Sequence, residues 1–144
     1  MSRTFHVETE KDKELTLKSF MDELHRLQFF DTTDWKVSHN GHAVNPDGID
    51  TVSINKGLTC FTIHGNYTDY IFINCHCSKE GIWWCIESRA SEGIGRSFFV
   101  AAACVIANLT DGLADSCDGA WHNDHQYRGS ELWNEYLNTE WNAR

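Results

Sequence analysis

Apolar residues recur at two different periods along the chain, and the change of period divides it. Leu17, Phe20, Met21, Leu24 and Leu27 are spaced by three and four, which puts them on one side of a helix over residues 14–30. Asp12 or Thr16 suits its N-cap. Phe29 and Phe30 follow, and Asp31-Thr32-Thr33-Asp34 ends it. From residue 35 to residue 88 the period falls to two, in short runs rich in β-branched and aromatic residues. Strands are expected at 35–38, 50–55, 58–64, 70–77 and 82–87. The turns Asn40-Gly41, Asn45-Pro46-Asp47-Gly48, Gly65-Asn66 and Lys79-Glu80-Gly81 separate them. Ile71, Ile73 and Cys75 share one face of their strand, opposite Tyr70, Phe72 and Asn74. Ile82, Trp84 and Ile86 share a face of the next.

Residues 92–109 return to the helical period, with Ser91 as N-cap and Glu92 in the first turn. Between Phe98 and Ala107 there is no charge, and the segment is apolar nearly all round. Such a helix has to be buried, lying across the sheet. Thr110-Asp111-Gly112 stops it, a short strand follows at 113–116, and Asp118-Gly119 turns again. A last helix begins near Ser130, with Leu132, Trp133, Tyr136 and Leu137 at core spacing. The order expected is helix, four or five strands, helix, strand, helix. This is an α+β chain in two layers, with helices packed on an antiparallel meander. Strands and helices do not alternate, which disfavours a doubly wound sheet.

At 144 residues the chain is expected to form a single domain spanning 1–144. Pro occurs once and no Gly/Ser-rich linker interrupts the sequence. The first residues hold no apolar segment of the kind a secretory signal needs, so a cytoplasmic location with reduced cysteines is expected. Acidic residues number 21 against 12 basic ones, a net charge of −9. Such a surface repels nucleic acid and anionic lipid and attracts a basic protein. Residues 111–144 carry seven acidic and two basic residues, net −5, more than half of the total. Trp121, Tyr127, Trp133, Tyr136 and Trp141 are interleaved with them. Trp133 and Tyr136 are expected to pack the last helix. Trp121, in a polar loop, is the better anchor for a partner.

Several chemistries compete with simple binding. Cys75-His76-Cys77 resembles a ligand cluster, but on a strand the two thiols share one face and the imidazole the other. The pairs His39/His42 and His122/His125 would hold a metal only if their loops met. Asn40-Gly41 explains the first pair as a hairpin, so neither metal nor cofactor is expected. Gly93-Ile94-Gly95 opens a helix but lacks the third glycine and the βαβ setting of a dinucleotide site. Cys117 with His122 has no family signature around it. The carboxylates Asp111, Asp115, Asp118 and Asp124 identify no sugar cleft. No catalytic residue is therefore expected.

The chain resembles a small cytosolic immunity protein of a bacterial polymorphic-toxin system, including the contact-dependent growth inhibition type. The likeness lies in size, acidity, the α+β plan and the passage from Ala107-Asn108-Leu109-Thr110-Asp111-Gly112 to Asp118-Gly119-Ala120-Trp121. It implies a non-enzymatic protein that covers the active site of a cognate toxin domain, often a nuclease. Asp111, Asp115, Asp118, Trp121 and Asp124 are the expected contact residues. Two other classes fit the same sequence: a small metal- or ligand-binding enzyme using the His-x-x-His loops, and an adaptor subunit of a host complex.

Overall fold

The structure, a computed structural model, describes residues 3–10, 13–27, 35–45, 52–63, 66–89, 93–116 and 125–138. The chain opens with strand β1 (Arg3–Thr9), followed by helix α1 (Leu17–Arg26). Strands β2 (Lys36–His39), β3 (His42–Val44), β4 (Leu58–Ile63), β5 (Asn66–Ser78) and β6 (Gly81–Ser88) come next. Helix α2 (Gly93–Thr110), strands β7 (Leu113–Ser116) and β8 (Gln126–Tyr127) and helix α3 (Gly129–Leu137) complete it. The eight strands form one antiparallel sheet in the order β3-β2-β4-β5-β6-β1-β7-β8. The expected α+β class is observed.

The elements differ from the sequence reading in four places: β1, β3 and β8 are strands beyond those expected, and the strand expected at 50–55 does not join the sheet at residues 52–54. The N-terminal segment is a strand, and it sits inside the sheet between β6 and β7. Phe5, Val7 and Thr9 face inward, so the alternation is present but spans only seven residues. Residues 52–54 are not a sheet strand. They pair with the chain just before α1: Leu17 N–H donates to Val52 O at 3.0 Å, and Ile54 N–H to Leu15 O at 2.9 Å. Ile54 is buried there, which explains its place in an alternating pattern. The same pairing delays the helix to Leu17, with Thr16 as its cap in a reciprocal capping box with Ser19. The expected signals at Phe29, Phe30, Asp31–Asp34, Asp47-Gly48, Ser91, Glu92 and Asp118-Gly119 lie outside the described residues.

Alternation fixes two unlike sheet faces. Phe5, Val7, Val37, Phe61, Ile71, Ile73, Trp84 and Ile86 are buried on one of them. Helix α2 packs on this face against β1, β5, β6 and β7. Phe98 meets Phe61 at 5.1 Å between ring centroids, and Phe99 meets Phe5 at 4.9 Å. Helices α1 and α3 also pack against α2, and α1 reaches the sheet itself, Phe20 meeting Phe61 at 5.3 Å between ring centroids. Every residue from Phe98 to Ala107 is at most 1% exposed, as an all-round apolar helix requires.

Two polar contacts and one close approach tie the helices together. Asn108 Nδ2 of α2 donates to Glu23 Oε1 of α1 at 3.2 Å. Ser97 Oγ and Tyr136 OH share a hydrogen bond of 2.6 Å between α2 and α3. At the start of α3, Gly129 sits so close to α2 that a Cβ would lie 2.4 Å from Cys104 O and 2.3 Å from Asn108 Oδ1. Gly129→Ala therefore destabilises the fold by about 1–3 kcal/mol in urea unfolding, although alanine is the better helix former. The hydrogen-bonded Arg26 guanidinium holds the Glu23 carboxyl below its ordinary 4.5, helped by Asn108 and opposed by burial. A lowered carboxyl stabilises the fold above its unfolded value, and that contribution is lost as pH falls through the folded value. Glu23→Gln is therefore expected to flatten the fall of stability below about pH 5 in unfolding curves.

Candidate functional site

The second sheet face carries no helix among the described residues, and its side chains follow from the ladder. Asn74, Cys85, His6 and Asp115 form one row across β5, β6, β1 and β7. His76, Trp83, Glu8 and Leu113 form the next. Cys60, Phe72, Glu87 and Thr4 form a third, and Thr62 with Tyr70 extends the face toward β2. Neighbours in such rows stand about 5 Å apart. Most of these side chains are half-buried rather than sealed.

Rings dominate the middle of this face. His76 stacks on Trp83 at 4.3 Å and 17°, while His6 approaches Trp83 edge-on at 5.2 Å. Tyr70 and Phe72, two residues apart on β5, lie 4.4 Å from each other, and Arg89 sits 5.9 Å over Tyr70. The sequence pattern had put Tyr70, Phe72 and Asn74 together on one face; what it lacked was the helix position, which decides that this face stays open.

Carboxylates gather at one end of the sheet. A cleft of about 460 Å³ is lined by Glu8, Thr9, Glu10, Thr110, Asp111 and Arg128, among others. A second, of about 270 Å³, lies between β1 and the β5–β6 turn and shares Glu8 and Thr9. Gly112 makes the first cleft tight: a Cβ there would lie 2.6 Å from Glu8 O.

The five expected contact residues do not form one described cluster. Asp111 ends α2 in the left-handed region at φ 52°, followed by the Gly112 N–H bond to Ala107 O at 2.9 Å, as in a Schellman cap. Its exposed carboxylate accepts from Arg128 Nη1 at 3.1 Å. Asp115 stands on the open face beside His6 and Gln126. Asp118, Trp121 and Asp124 lie outside the described residues. Glu8, Glu87, Phe72, Tyr70 and Trp83 are the functional candidates the sequence reading did not single out. Trp133 and Tyr136 pack the last helix as expected, stacked at 5.4 Å.

The other candidate chemistries resolve locally. His39 and His42 face each other across the β2–β3 hairpin, and Asn40 and Gly41 both take positive φ at its turn. His39 Nδ1 lies 2.9 Å from Thr59 Oγ1. His125 contacts the Tyr127 ring at 4.2 Å; His122 and Cys117 are outside the described residues. No group of three or more His, Cys, Asp or Glu among the described residues is arranged to hold a metal. Cys85, His6 and Asp115 follow one another along a row, the order of a nucleophile, base and orienting acid. The Cys85 thiol is nevertheless pushed up, first by burial and then by Glu87, which favours the protonated form over a reactive thiolate. Burial also pushes the Cys60 thiol up, and the enclosed Cys104 thiol well above its usual range.

Comparison with known protein families, curated proteins and solved structures finds no match to this chain. No helix among the described residues is long and apolar enough to cross a membrane. Iodoacetamide near pH 7.5 is expected to label exposed Cys77 first, Cys60 and Cys85 more slowly, and Cys104 only on unfolding. Peptide mass spectrometry against time reads that order; early labelling of Cys85 would contradict it.

Proposed function

We propose that this chain is a non-catalytic immunity protein that neutralises a basic toxin domain, most simply a nuclease, in the bacterial cytoplasm. In this reading the chain is a two-layer domain whose helices occupy one side and whose open sheet face binds the toxin. The observation that carries it is that open face: half-buried Trp83, Tyr70 and Phe72 beside Glu8, Glu87 and Asp115, with further carboxylates in the clefts at its end. Aromatic side chains at the centre of an interface supply much of its binding free energy. Surrounding carboxylates steer a basic partner and suit the Lys/Arg side chains with which a nuclease grips phosphates. The net charge of −9 acts in the same direction at longer range. Asp111 and Asp115 remain contact residues in this reading, joined by Asp118, Trp121 and Asp124, which follow β7 in the sequence.

Aromatic and charged variants divide the work. Trp83→Ala and Phe72→Ala each cost about 2 kcal/mol of affinity, roughly thirtyfold, through faster release. Reversing Asp115, Asp118 and Asp124 together slows association and flattens its dependence on salt. The test is co-expression in bacterial cells with the C-terminal domain of a secreted protein encoded immediately upstream of this gene. Growth restored by the wild-type chain and lost with folded Trp83→Ala supports the proposal. A gene neighbourhood without such a toxin, or full protection by every variant, overturns it.

A further inference from the structure

We infer that the cleft between β1 and the β5–β6 turn is a recognition pocket for one arginine side chain of the partner. This deepens the function proposed above and rests on it. The cleft holds about 270 Å³, and its decisive walls are Glu8 of β1, Glu80 of the turn and Trp83 of β6. Trp83 and Glu8 are direct register partners in the β1–β6 ladder. His76 stacks on the Trp83 ring from the β5 side, and Glu8 stands across from Trp83 on β1. His6, also of β1, meets the same ring at 5.2 Å and 60°. Glu8 and Glu80 are both exposed, and neither pairs with a cation among the described residues.

An indole lining the same cleft as two carboxylates suits a planar, delocalised cation. A guanidinium can lie over the indole while its N–H edge donates to a carboxylate. A lysine ammonium is compact and strongly hydrated, and it uses neither the plane nor the paired acceptors as well. The adjacent cleft of about 460 Å³ is a poorer candidate, because Arg128 already lines it and pairs with Asp111. Of the two acidic clefts, the one walled by Trp83 is thus the one that lacks a cation of its own among its lining residues.

The probe is N-acetyl-arginine methylamide, titrated into the folded chain at millimolar concentration. The readout is the indole N–H NMR signal of Trp83, assigned with Trp83→Phe. The expected result is a saturable shift, absent with the citrulline analogue and several-fold weaker with the lysine analogue. Glu8→Gln with Glu80→Gln weakens it about tenfold or more, while Glu131→Gln on α3 leaves it unchanged. A shift of equal size with citrulline or lysine, or one that survives the double variant, overturns the pocket. The toxin-protection assay reads the proposed function separately, so a failure of the pocket and a failure of that function are distinguishable.

Discussion

A helix that is apolar all round is stable only where both of its sides are covered, and that constraint organises this molecule. Helix α2 meets it by packing against β1, β5, β6 and β7 and against α1 and α3. Helix α1 reaches the same sheet face through Phe20, which meets Phe61 at 5.3 Å. The strands then have one face that must be apolar and one that is free to vary. Phe5, Val7, Ile71, Ile73, Trp84 and Ile86 meet the first demand. His6, Glu8, Phe72, His76 and Trp83 occupy the second, where packing against a helix does not dictate them.

That freedom makes the composition of the open face informative. A face exposed only to water is served by Thr, Lys and Glu. This one instead stacks His76 on Trp83 and brings Tyr70 against Phe72, between the carboxylates of Glu8 and Glu87. Exposed or half-exposed aromatic clusters on a folded chain are a recognised sign of an interaction surface. The polar ties Asn108–Glu23 and Ser97–Tyr136 and the close approach at Gly129 lie in the helical layer. In the proposed reading, stability and recognition reside largely on opposite sides of the sheet, and residues of the open face can be replaced without opening the core.

Much of the architecture was legible in the sequence because local pattern and global fold agree. The uncharged run from Phe98 to Ala107 announced a buried helix, Asn40-Gly41 a hairpin, and alternation placed Tyr70 and Phe72 opposite Ile71 and Ile73. Where the reading missed, a longer-range partner decided the outcome. Val52 and Ile54 alternate like a strand, but their hydrogen bonds go to the start of α1. Arg3–Thr9 has the same alternation, yet its place between β6 and β7 depends on partners far along the chain, such as Ile86 and Ser116 for Phe5. The candidate site was less legible for the same reason. Charge counting drew attention to residues 111–124, whereas Trp83, Glu8 and His76 come from three strands that only the ladder brings into one row.

The central claim is that the helix-free sheet face is the binding face. Hydroxyl-radical footprinting of the chain with and without its bound toxin domain tests it directly, by measuring side-chain oxidation residue by residue. The account predicts that Trp83, Tyr70 and Phe72 become protected in the complex while Trp133 and Leu137 of α3 keep their free-state reactivity. Protection of Trp133 and Leu137 with Trp83, Tyr70 and Phe72 unchanged would contradict it.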